Sequence, residues 1–255
     1  MRTLTTIALG LALGCGGDSV RSGPDAKGPS DAAAPVADAR CSVETATTFY
    51  GDTDGDGYGD PALIAVDCVR PEGFVENQLD CNDADPRDNP DGTELCDGID
   101  NDCDAATPEV CPNLCSPQFN GTDPYLFCAQ GLNFASATAA CEGQDMHLVR
   151  VDDLAEQQWI SEQRVVAFGS KVTAWHGGSD SITENTWQWR DGTEFWQGRS
   201  NGIAVGGLFA IWRGGEPNND SGEDCGVFSN NASGSWDDRE CSGGARFICE
   251  RNPPL

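Results

Sequence analysis

The chain has 255 residues, a formal net charge of −27 and a sequence pI near 4.1, and this acidity argues against nucleic acid or anionic lipid as partners. Thirteen cysteines indicate an oxidising compartment, while the lack of a CxxC pair and the presence of only two histidines argue against zinc. The length accommodates one domain of ordinary size and a smaller companion.

The amino terminus has the features of an export signal. Met1-Arg2 precedes an apolar run at residues 4–13, which is too short to span a bilayer but suits the apolar core of a signal peptide. Ala12-Leu13-Gly14-Cys15 then resembles the bacterial lipobox, which implies lipidation of Cys15; a plain secretory signal cleaved nearby is the alternative. Residues 1–15 therefore predict an exported lipoprotein of the outer membrane or cell surface, which touches the membrane only through its lipid.

Residues 16–40 are rich in Gly, Ser, Pro, Ala and Asp and contain almost no large apolar side chain. Such a segment buries too little surface to offset its ordering entropy, so a flexible linker is predicted. Residues 41–111 differ sharply, because they hold fourteen Asp and five Glu against two Arg, a net charge of −17, and few apolar residues. This balance predicts a small domain that stays folded only with bound cations.

The spacing of the acids in this domain predicts calcium ligands. Residues 52–60 reproduce the first nine positions of an EF-hand-like loop, with Gly57 at the sixth. Leu63 stands where such a loop has its last acidic ligand, so a further ligand must come from elsewhere, and the acidic cluster at 80–85 is the candidate. The predicted Ca²⁺ ligands are Asp52, Asp54, Asp56, the backbone carbonyl of Tyr58, and Asp60, then Asp80, Asp83 and Asp85, then Asp97, Asp100, Asp102 and Asp104.

The alternative interpretation of residues 41–111 is a solvated acidic linker, which the regularly placed Gly and Cys residues disfavour. The region resembles the metal-binding motif region of secreted bacterial proteins and, more loosely, the calcium-wired thrombospondin type 3 repeats. The resemblance implies a small irregular domain stabilised by disulfides and calcium. Short closures would pair Cys68 with Cys81 and Cys96 with Cys103, leaving Cys41 with Cys111, although sequence alone does not fix the connectivity.

From residue 112 onward the pattern predicts regular structure. Residues 133–142 carry the apolar stripe of a short helix, and Asp153 begins a second helix with a capping-box-like pattern. Strands are predicted at 147–151, 186–190, 226–229 and 246–250. Two helices followed by short strands and Gly-rich loops give an α+β domain. Within the long loop at 192–215, packing is favoured over ligand contact for the aromatic residues Trp196, Phe209 and Trp212.

Oxygen-bearing side chains are concentrated between residues 216 and 238. They occur in Glu216-Pro217-Asn218, at Glu223 and in Trp236-Asp237-Asp238. Because Ca²⁺ takes about six to eight oxygen ligands in forgiving geometry, this stretch predicts a calcium site. Its ligands would be Glu216, Asn218, Glu223, Asp237 and Asp238.

Five motifs occur in a fixed order: Trp175-His176-Gly177-Gly178, Trp187-Gln188-Trp189, Glu216-Pro217-Asn218, Trp236-Asp237-Asp238 and Phe247-Ile248-Cys249-Glu250. This order and spacing resemble the C-type lectin-like domain over about residues 115–251. The resemblance implies that residues 112–252 form a domain with two helices, short antiparallel sheets, a long calcium-binding loop region and a cis peptide bond before Pro217. It also implies disulfides of Cys115 with Cys128, Cys141 with Cys249 and Cys225 with Cys241.

In sugar-binding members of this family, the Glu-Pro-Asn form accompanies mannose-type ligands. This implies that Glu216, Asn218, Glu223 and Asp237 would face two vicinal sugar hydroxyls. Relatives carry Asn in place of Asp237, and an ionised carboxylate accepts hydrogen bonds but cannot donate one. Asp237 is therefore expected to favour calcium while removing one donor to the sugar.

The favoured function is that of a surface-tethered, calcium-dependent protein that binds carbohydrate, with a surface glycan as its partner. The alternative is a structural or adhesion protein whose lectin-like fold binds a protein ligand and uses calcium only structurally. An enzyme is not predicted, because no Ser/His/Asp or Cys/His constellation is visible and the acids are placed as calcium ligands.

Overall fold

The computed structural model describes residues 46–251. The predictions for the signal peptide, Cys15, the linker at 16–40 and Cys41 concern residues outside this range. The described residues belong to one compact unit. No helix among them combines the length and apolar character that a transmembrane span requires.

A three-stranded antiparallel sheet opens the acidic region, where irregular structure was predicted. β1 (Thr47–Gly51) lies between β2 (Asp60–Asp67) and β3 (Phe74–Val75). From residue 76 to residue 114 the chain forms neither helix nor strand. Among residues 46–114 only Phe49 and Cys96 are buried apolar side chains, so the core of this region is as thin as the sequence predicts.

The region from residue 115 onward is an α+β domain with ten strands and two helices, α1 (Phe134–Glu142) and α2 (Leu154–Phe168). Its strands are β4 (Cys115–Asn120), β5 (Asp123–Leu132), β6 (Met146–Leu148), β7 (Ala174–Ser179), β8 (Thr186–Gln188), β9 (Glu194–Gln197), β10 (Ile203–Ala204), β11 (Cys225–Phe228), β12 (Trp236–Arg239) and β13 (Ala245–Arg251). The main sheet has the order β10-β9-β8-β7-β13-β5-β4, with β11 on β7, β12 on β11 and β6 on β13. The pairing of β7 with β13 is parallel, which departs from the antiparallel sheets expected.

Both predicted helices begin at capping side chains. The Asn133 side chain accepts a hydrogen bond from the Ser136 N–H at 2.8 Å, and the Asp153 side chain accepts one from the Glu156 N–H at 2.9 Å. Glu156 in turn accepts the backbone N–H of Asp152 at 2.7 Å, one residue earlier than a capping box would place it. These bonds satisfy N–H groups that the first turn of a helix leaves unpaired.

The disulfide pattern agrees with expectation after residue 112 and differs before it. The three expected pairs are Cys115 with Cys128, Cys141 with Cys249 and Cys225 with Cys241, and all are present. In the acidic region the pairs are Cys81 with Cys103 and Cys96 with Cys111, so the predicted pairs Cys68 with Cys81, Cys96 with Cys103 and Cys41 with Cys111 are wrong. Cys68 is also disulfide-bonded.

The reason for this difference lies in the turn that precedes Cys103. The Glu94 carboxylate accepts hydrogen bonds from the backbone N–H groups of Asn101 at 2.6 Å and Asp102 at 3.0 Å. The turn carries Cys103 back to Cys81 rather than leaving it beside its nearest cysteine in the sequence. A prediction that pairs each cysteine with a near neighbour in the sequence does not account for such a turn.

Aromatic packing fixes the loop that precedes β11. Trp236 at the start of β12 is fully buried, and the Trp212 ring packs on it at a centroid distance of 5.8 Å. The backbone pairs at the same point, because the Trp236 N–H donates to the Ile211 carbonyl at 2.8 Å and the Arg213 N–H donates to the Trp236 carbonyl at 2.7 Å. The segment at 192–215, predicted as one long loop, contains β9 and β10, so that prediction is wrong in part. The segment is tied to the strand that carries Asp237 and Asp238, and packing accounts for its tryptophans as predicted.

Candidate calcium and ligand site

Three carboxylates meet at the start of β12. One oxygen from each of Glu216, Asp237 and Asp238 lies within 4.8 Å of the others, and these three residues are called here the loop carboxylate cluster. Strand alternation buries Asp238 and leaves Asp237 half-buried. Glu216 comes from the loop tied to β12 and is also buried, with 7% of its surface exposed.

The loop around Pro217 is folded against Asp238. The Glu216–Pro217 peptide bond is cis, as the resemblance implies. The two oxygens of Asp238 accept the backbone N–H groups of Asn218 at 3.1 Å and Asn219 at 2.6 Å. The Asn218 side-chain amide donates to Glu216. Four of the five predicted ligands therefore lie together, namely Glu216, Asn218, Asp237 and Asp238.

The electrostatics of the loop carboxylate cluster suit a divalent cation. Burial raises the pKa of Asp238 and of Asp237, and repulsion from Glu216 adds to both shifts. Ionised carboxylates held this close in a partly buried site repel one another, and a bound cation would relieve that repulsion. The donor set is all oxygen, which is the set that Ca²⁺ prefers.

Glu223, the remaining predicted ligand, lies beside the cluster rather than within it. Its backbone N–H donates to the Asn219 side chain at 2.9 Å. Burial, together with repulsion from Asp238 and Asp237, raises the pKa of Glu223 to about 7. The carboxylate is therefore close enough to share the field of the cluster, and a cation there would attract it.

Arg213 is a site residue that the sequence did not reveal. Its guanidinium Nη2 lies 2.9 Å from Glu216 Oε1 and 3.4 Å from Asp237 Oδ2. Nothing in the sequence distinguishes this arginine from the other basic residues. Its closeness to the cluster depends on the backbone pairing of residues 211–213 with Trp236.

Two further acids near this loop were also missed. Asp180, at the end of β7, is 3% exposed, and its Oδ1 has no hydrogen-bond partner, while its Oδ2 accepts the Asn185 N–H at 2.9 Å. Burial raises the pKa of Asp180 to about 6, with repulsion from Glu184 and Asp224 contributing. Glu184 accepts a hydrogen bond from the Asn219 side chain, which links this group to the loop that follows Pro217.

In the acidic region, the first and second predicted clusters come together. Carboxylate oxygens of Asp52, Asp54 and Asp83 lie within 4.8 Å of one another, and so do those of Asp54, Asp56 and Asp80. These five residues are called here the Asp-loop cluster. Gly57 has φ of +94°, which is the left-handed conformation that the sixth position of the loop requires of glycine. The predicted contribution of the 80–85 segment to the first loop is thus present in the fold.

The unpartnered oxygens of the Asp-loop cluster point to a cation. Asp54 and Asp56 each use one oxygen to accept a backbone N–H two residues ahead, at 3.2 and 2.7 Å. The other oxygen of each is buried without a hydrogen-bond donor, as is one oxygen of Asp52 and of Asp80. Burial and repulsion from neighbouring carboxylates raise the pKa of Asp54 to about 6. Buried carboxylate oxygens without donors are costly unless a cation compensates them, so the cluster fits Ca²⁺.

Part of the third predicted cluster also converges. Asp100 and Asp102 place carboxylate oxygens within 4.8 Å of Glu94, a residue outside the predicted ligand set. Asp104 lies apart and accepts the Ala106 N–H at 3.1 Å. Outside the Asp-loop cluster, Asp60 accepts the Ala62 N–H at 2.7 Å, and the Tyr58 hydroxyl donates to Asp91 at 2.8 Å.

Asp85 and Asp97 were predicted as calcium ligands, but the structure gives them arginine partners instead. Although burial would raise it, hydrogen bonds from the Arg87 guanidinium hold the pKa of Asp85 below its usual range. Arg251, the last residue of β13, lies 2.8 Å from Asp97 and 2.6 Å from Asp88. The contact with Asp97 is a charge contact rather than a directed hydrogen bond. An arginine of the α+β domain thus takes the place that the prediction gave to a metal ion.

Each of the two regions matches a known protein family. Residues 130–251 match the family described as "Lectin C-type domain", and residues 80–113 match the one described as "Putative metal-binding motif". The chain is 30% identical over 122 residues to C-type mannose receptor 2 of Homo sapiens, covering 48% of this chain and 7% of the receptor. It is 33% identical over 132 residues to hepatic lectin of Gallus gallus, covering 51% of this chain and 55% of that protein.

Among solved structures, the mouse scavenger receptor C-type lectin carbohydrate-recognition domain is 30% identical to this chain, with a TM-score of 0.46. The match covers 57% of this chain and 98% of that domain. The chain spans little more than half of the length of hepatic lectin and a small part of the length of the mannose receptor.

Proposed function

We propose that the chain is an exported, surface-tethered protein that binds carbohydrate through Ca²⁺ held by its C-type lectin domain, the family whose model residues 130–251 match. C-type lectins are in general binding proteins rather than enzymes, so the ligand is bound and not transformed. The proposed partner is a glycan that presents a pair of vicinal hydroxyls.

The observation that carries this proposal is the loop carboxylate cluster. Glu216 is separated in sequence from Asp237 and Asp238, yet the backbone pairing of residues 211–213 with Trp236 accompanies an approach of their oxygens to within 4.8 Å. The ion would be held by Glu216, Asn218, Glu223, Asp237 and Asp238. When bound, Ca²⁺ supplies coordination positions for sugar hydroxyls. Asp237 is half-buried, so its side of the cluster can be reached by a ligand.

The acidic region is proposed to be a calcium-stabilised spacer. Its ion would be held by Asp52, Asp54, Asp56, Asp80 and Asp83, and each of the first four has a buried oxygen without a hydrogen-bond donor. A domain of this kind, placed after a linker, would carry the lectin domain away from a membrane anchor. The anchor itself is proposed from the lipobox at Cys15.

The direct test is glycan-array binding by the full chain, in Ca²⁺ and in chelator. We expect binding to mannose-type glycans in Ca²⁺ and its loss in chelator. Glu216→Gln removes one charged ligand and should lower both calcium and glycan affinity. Glu162→Gln, at an exposed position on α2, removes one charge elsewhere and should change neither. Glycan binding that survives chelator and Glu216→Gln would contradict the proposal.

A protein ligand remains the competing function, with calcium serving only to order the loops. It is favoured if Ca²⁺ binds with the expected sensitivity to Glu216→Gln while no glycan binds. Pull-down of a surface protein in the presence of Ca²⁺ and of competing sugar would then identify the function as adhesion to protein.

Tethering has its own test. Cys15→Ser should abolish partition of the protein into the detergent phase, because the lipid attached to this cysteine is the proposed membrane contact. Cys68→Ser is not a suitable control, since Cys68 is in a disulfide; Ser19→Ala leaves the lipobox intact and should partition normally. A Cys15→Ser protein that stays with the membrane would overturn the lipoprotein assignment.

A further inference from the structure

The fold positions Arg213 at the proposed sugar site independently of its side chain. The backbone N–H of Arg213 donates to the Trp236 carbonyl at 2.7 Å, and its carbonyl accepts the Glu216 N–H at 2.9 Å. Trp212, the preceding residue, packs on the buried Trp236 and Trp187 rings. Residue 213 is therefore fixed between two members of the loop carboxylate cluster, one turn before Glu216 and beside Asp237.

The guanidinium lies at the rim of the cluster rather than inside it. Nη2 is 2.9 Å from Glu216 Oε1 and 3.4 Å from Asp237 Oδ2, while Asp238 is occupied by two backbone N–H groups instead. The Arg213 side chain is 44% exposed, against 7% for Glu216. Nη2 of the guanidinium thus contacts the carboxylates, while nearly half of the side chain remains exposed.

This position allows Arg213 to supply the hydrogen-bond donor that Asp237 lacks. An ionised Asp only accepts hydrogen bonds, whereas the Asn of relatives donates one to a sugar hydroxyl. A guanidinium is a planar fork of N–H donors that stays charged at every physiological pH. We infer that Arg213 is a specificity-determining residue of the sugar site, and that its guanidinium donates the hydrogen bond to the ligand that Asp237 cannot. The inference rests on the proposed function and extends it.

The charge around Arg213 indicates a neutral saccharide as the ligand. Anionic sugars would also match an arginine fork. The site nevertheless stays acidic even with a divalent cation bound, because carboxylates outnumber the three arginines nearby, Arg199, Arg213 and Arg239. These carboxylates belong to Glu216, Asp220, Glu223, Asp224, Asp237 and Asp238. The repulsion favours vicinal hydroxyls over a sugar carboxylate.

The test measures two affinities on the full chain by calorimetry. Ca²⁺ is titrated alone, and methyl α-mannoside is then titrated at saturating Ca²⁺. Arg213→Ala should lower the sugar affinity by about tenfold or more, which is the usual weight of a hydrogen bond from a charged donor. The same variant should keep or raise the calcium affinity, because it removes a positive charge from beside the calcium ligands. Arg190→Ala, which removes an exposed arginine paired with Glu142, is the matched control and should change neither.

A double variant separates a lost donor from a damaged loop. If Arg213 acts as the missing donor, Arg213→Ala combined with Asp237→Asn should recover most of the lost sugar affinity, because Asn restores a donor. A structural defect would not be repaired in this way. Melting temperatures of all variants in chelator and in Ca²⁺ identify any that fail to fold, and Arg213→Lys, which keeps charge and donors, provides a second folded variant.

Three results would overturn the inference while leaving calcium-dependent sugar binding intact. The first is unchanged or improved sugar affinity in Arg213→Ala, which would make the arginine a bystander or an obstruction. The second is the absence of any recovery in the double variant when both proteins are folded. The third is tighter binding of mannuronic acid than of methyl α-mannoside. Failure of the native chain to bind any saccharide in Ca²⁺ would instead overturn the proposed function together with the inference.

Discussion

The acidic region at residues 46–111 and the lectin domain both gather carboxylates, but they hold them by different means. The lectin domain places its cluster on a strand whose first residue, Trp236, is packed among buried aromatic rings. The acidic region has Phe49 and Cys96 as its buried apolar side chains and arranges its acids through turns, disulfides and hydrogen bonds to backbone N–H groups. A cation should therefore order a loop in the first case and determine whether the region folds in the second.

The largest effect expected from this comparison follows removal of calcium from the full chain. In chelator the amides of β1 and β2 should exchange hydrogen as fast as an unfolded chain, because the Asp-loop cluster would repel itself apart. Amides of β5 and β13, at the centre of the lectin sheet, should stay protected. Hydrogen-exchange mass spectrometry measures both in one sample, and restored Ca²⁺ should reverse the change. Protection of β1 that survives chelator would show that the acidic region folds without a cation.

The next effect concerns the arginine that joins the two regions. Arg251 has 6% of its side chain exposed and lies against Asp88 and Asp97, both fully buried. Arg251→Met would leave these carboxylates without their buried cation, which typically costs about 3–5 kcal/mol. We expect this loss in the free energy of unfolding of the acidic region in the presence of Ca²⁺. Denaturant titration followed by fluorescence and by hydrogen exchange measures it. Arg190→Met removes an exposed pair and should cost under about 1 kcal/mol.

If Arg251→Met unfolds with native stability, the acidic region does not depend on the lectin domain for its fold. The comparison would then describe two independent domains. A second contact, the Cys96 N–H donating to the Gln144 side chain at 2.8 Å, could be removed by Gln144→Ala to confirm this independence.

The sequence predicted the lectin half of the molecule better than the acidic half, and the reason is physical. Helix caps at Asn133 and Asp153 act locally, so their signals lie within a few residues of the helices they begin. The loop carboxylate cluster follows a motif whose spacing is tied to a well-packed fold. In the acidic region, chain direction depends on turns such as the one that Glu94 closes, and such turns have no periodic pattern.

The same reasoning explains the errors at individual residues. Asp85 and Asp97 look like ligands because they belong to dense acidic runs, but their partners, Arg87 and Arg251, include one from the far end of the chain. Arg213 escaped notice because only the pairing of its backbone with Trp236 brings it to the site. A single sequence records which side chains are charged, whereas their pairing depends on contacts between distant segments.

A smaller effect is expected at Glu156, where lectin-domain stability depends on pH rather than on a cation. Burial raises the pKa of Glu156 to about 7, although it accepts hydrogen bonds from the Tyr125 hydroxyl at 2.7 Å and the Asp152 N–H. A raised folded-state pKa means that the folded protein binds this proton more tightly than the unfolded chain. Its contribution is therefore most favourable below about pH 4.5 and declines as pH rises through about 7.

Glu156→Gln keeps an oxygen for the Asp152 N–H and an amide donor for the Tyr125 hydroxyl, while it removes the ionisation. The variant should be more stable than native at pH 8 by about 1–2 kcal/mol, less than the shift alone implies because solvent partly screens the charge. At pH 5 the difference should nearly vanish. Thermal unfolding in saturating Ca²⁺ at the two pH values measures it, with Glu162→Gln as the exposed control. A variant less stable at both values would show that the carboxylate is needed for its hydrogen bonds.

The smallest effect expected is that of Asp237→Asn in the native background, and it depends on Arg213. The substitution removes one carboxylate from the calcium ligands and should keep or modestly weaken calcium affinity. It adds an amide donor toward the sugar, but the Arg213 guanidinium is proposed to donate there already, so the gain in methyl α-mannoside affinity should stay below about tenfold. In the Arg213→Ala background the same substitution should gain more sugar affinity, and the difference between the two gains measures the coupling of residues 213 and 237.

Glu216→Ala should weaken both the calcium and the sugar affinity in either background, because it removes a calcium ligand that sugar binding needs with or without Arg213. Equal gains in the two backgrounds would mean that Arg213 and Asp237 act on the ligand independently. A loss of sugar affinity on Asp237→Asn would mean that the Asp237 carboxylate itself accepts a hydrogen bond from the sugar.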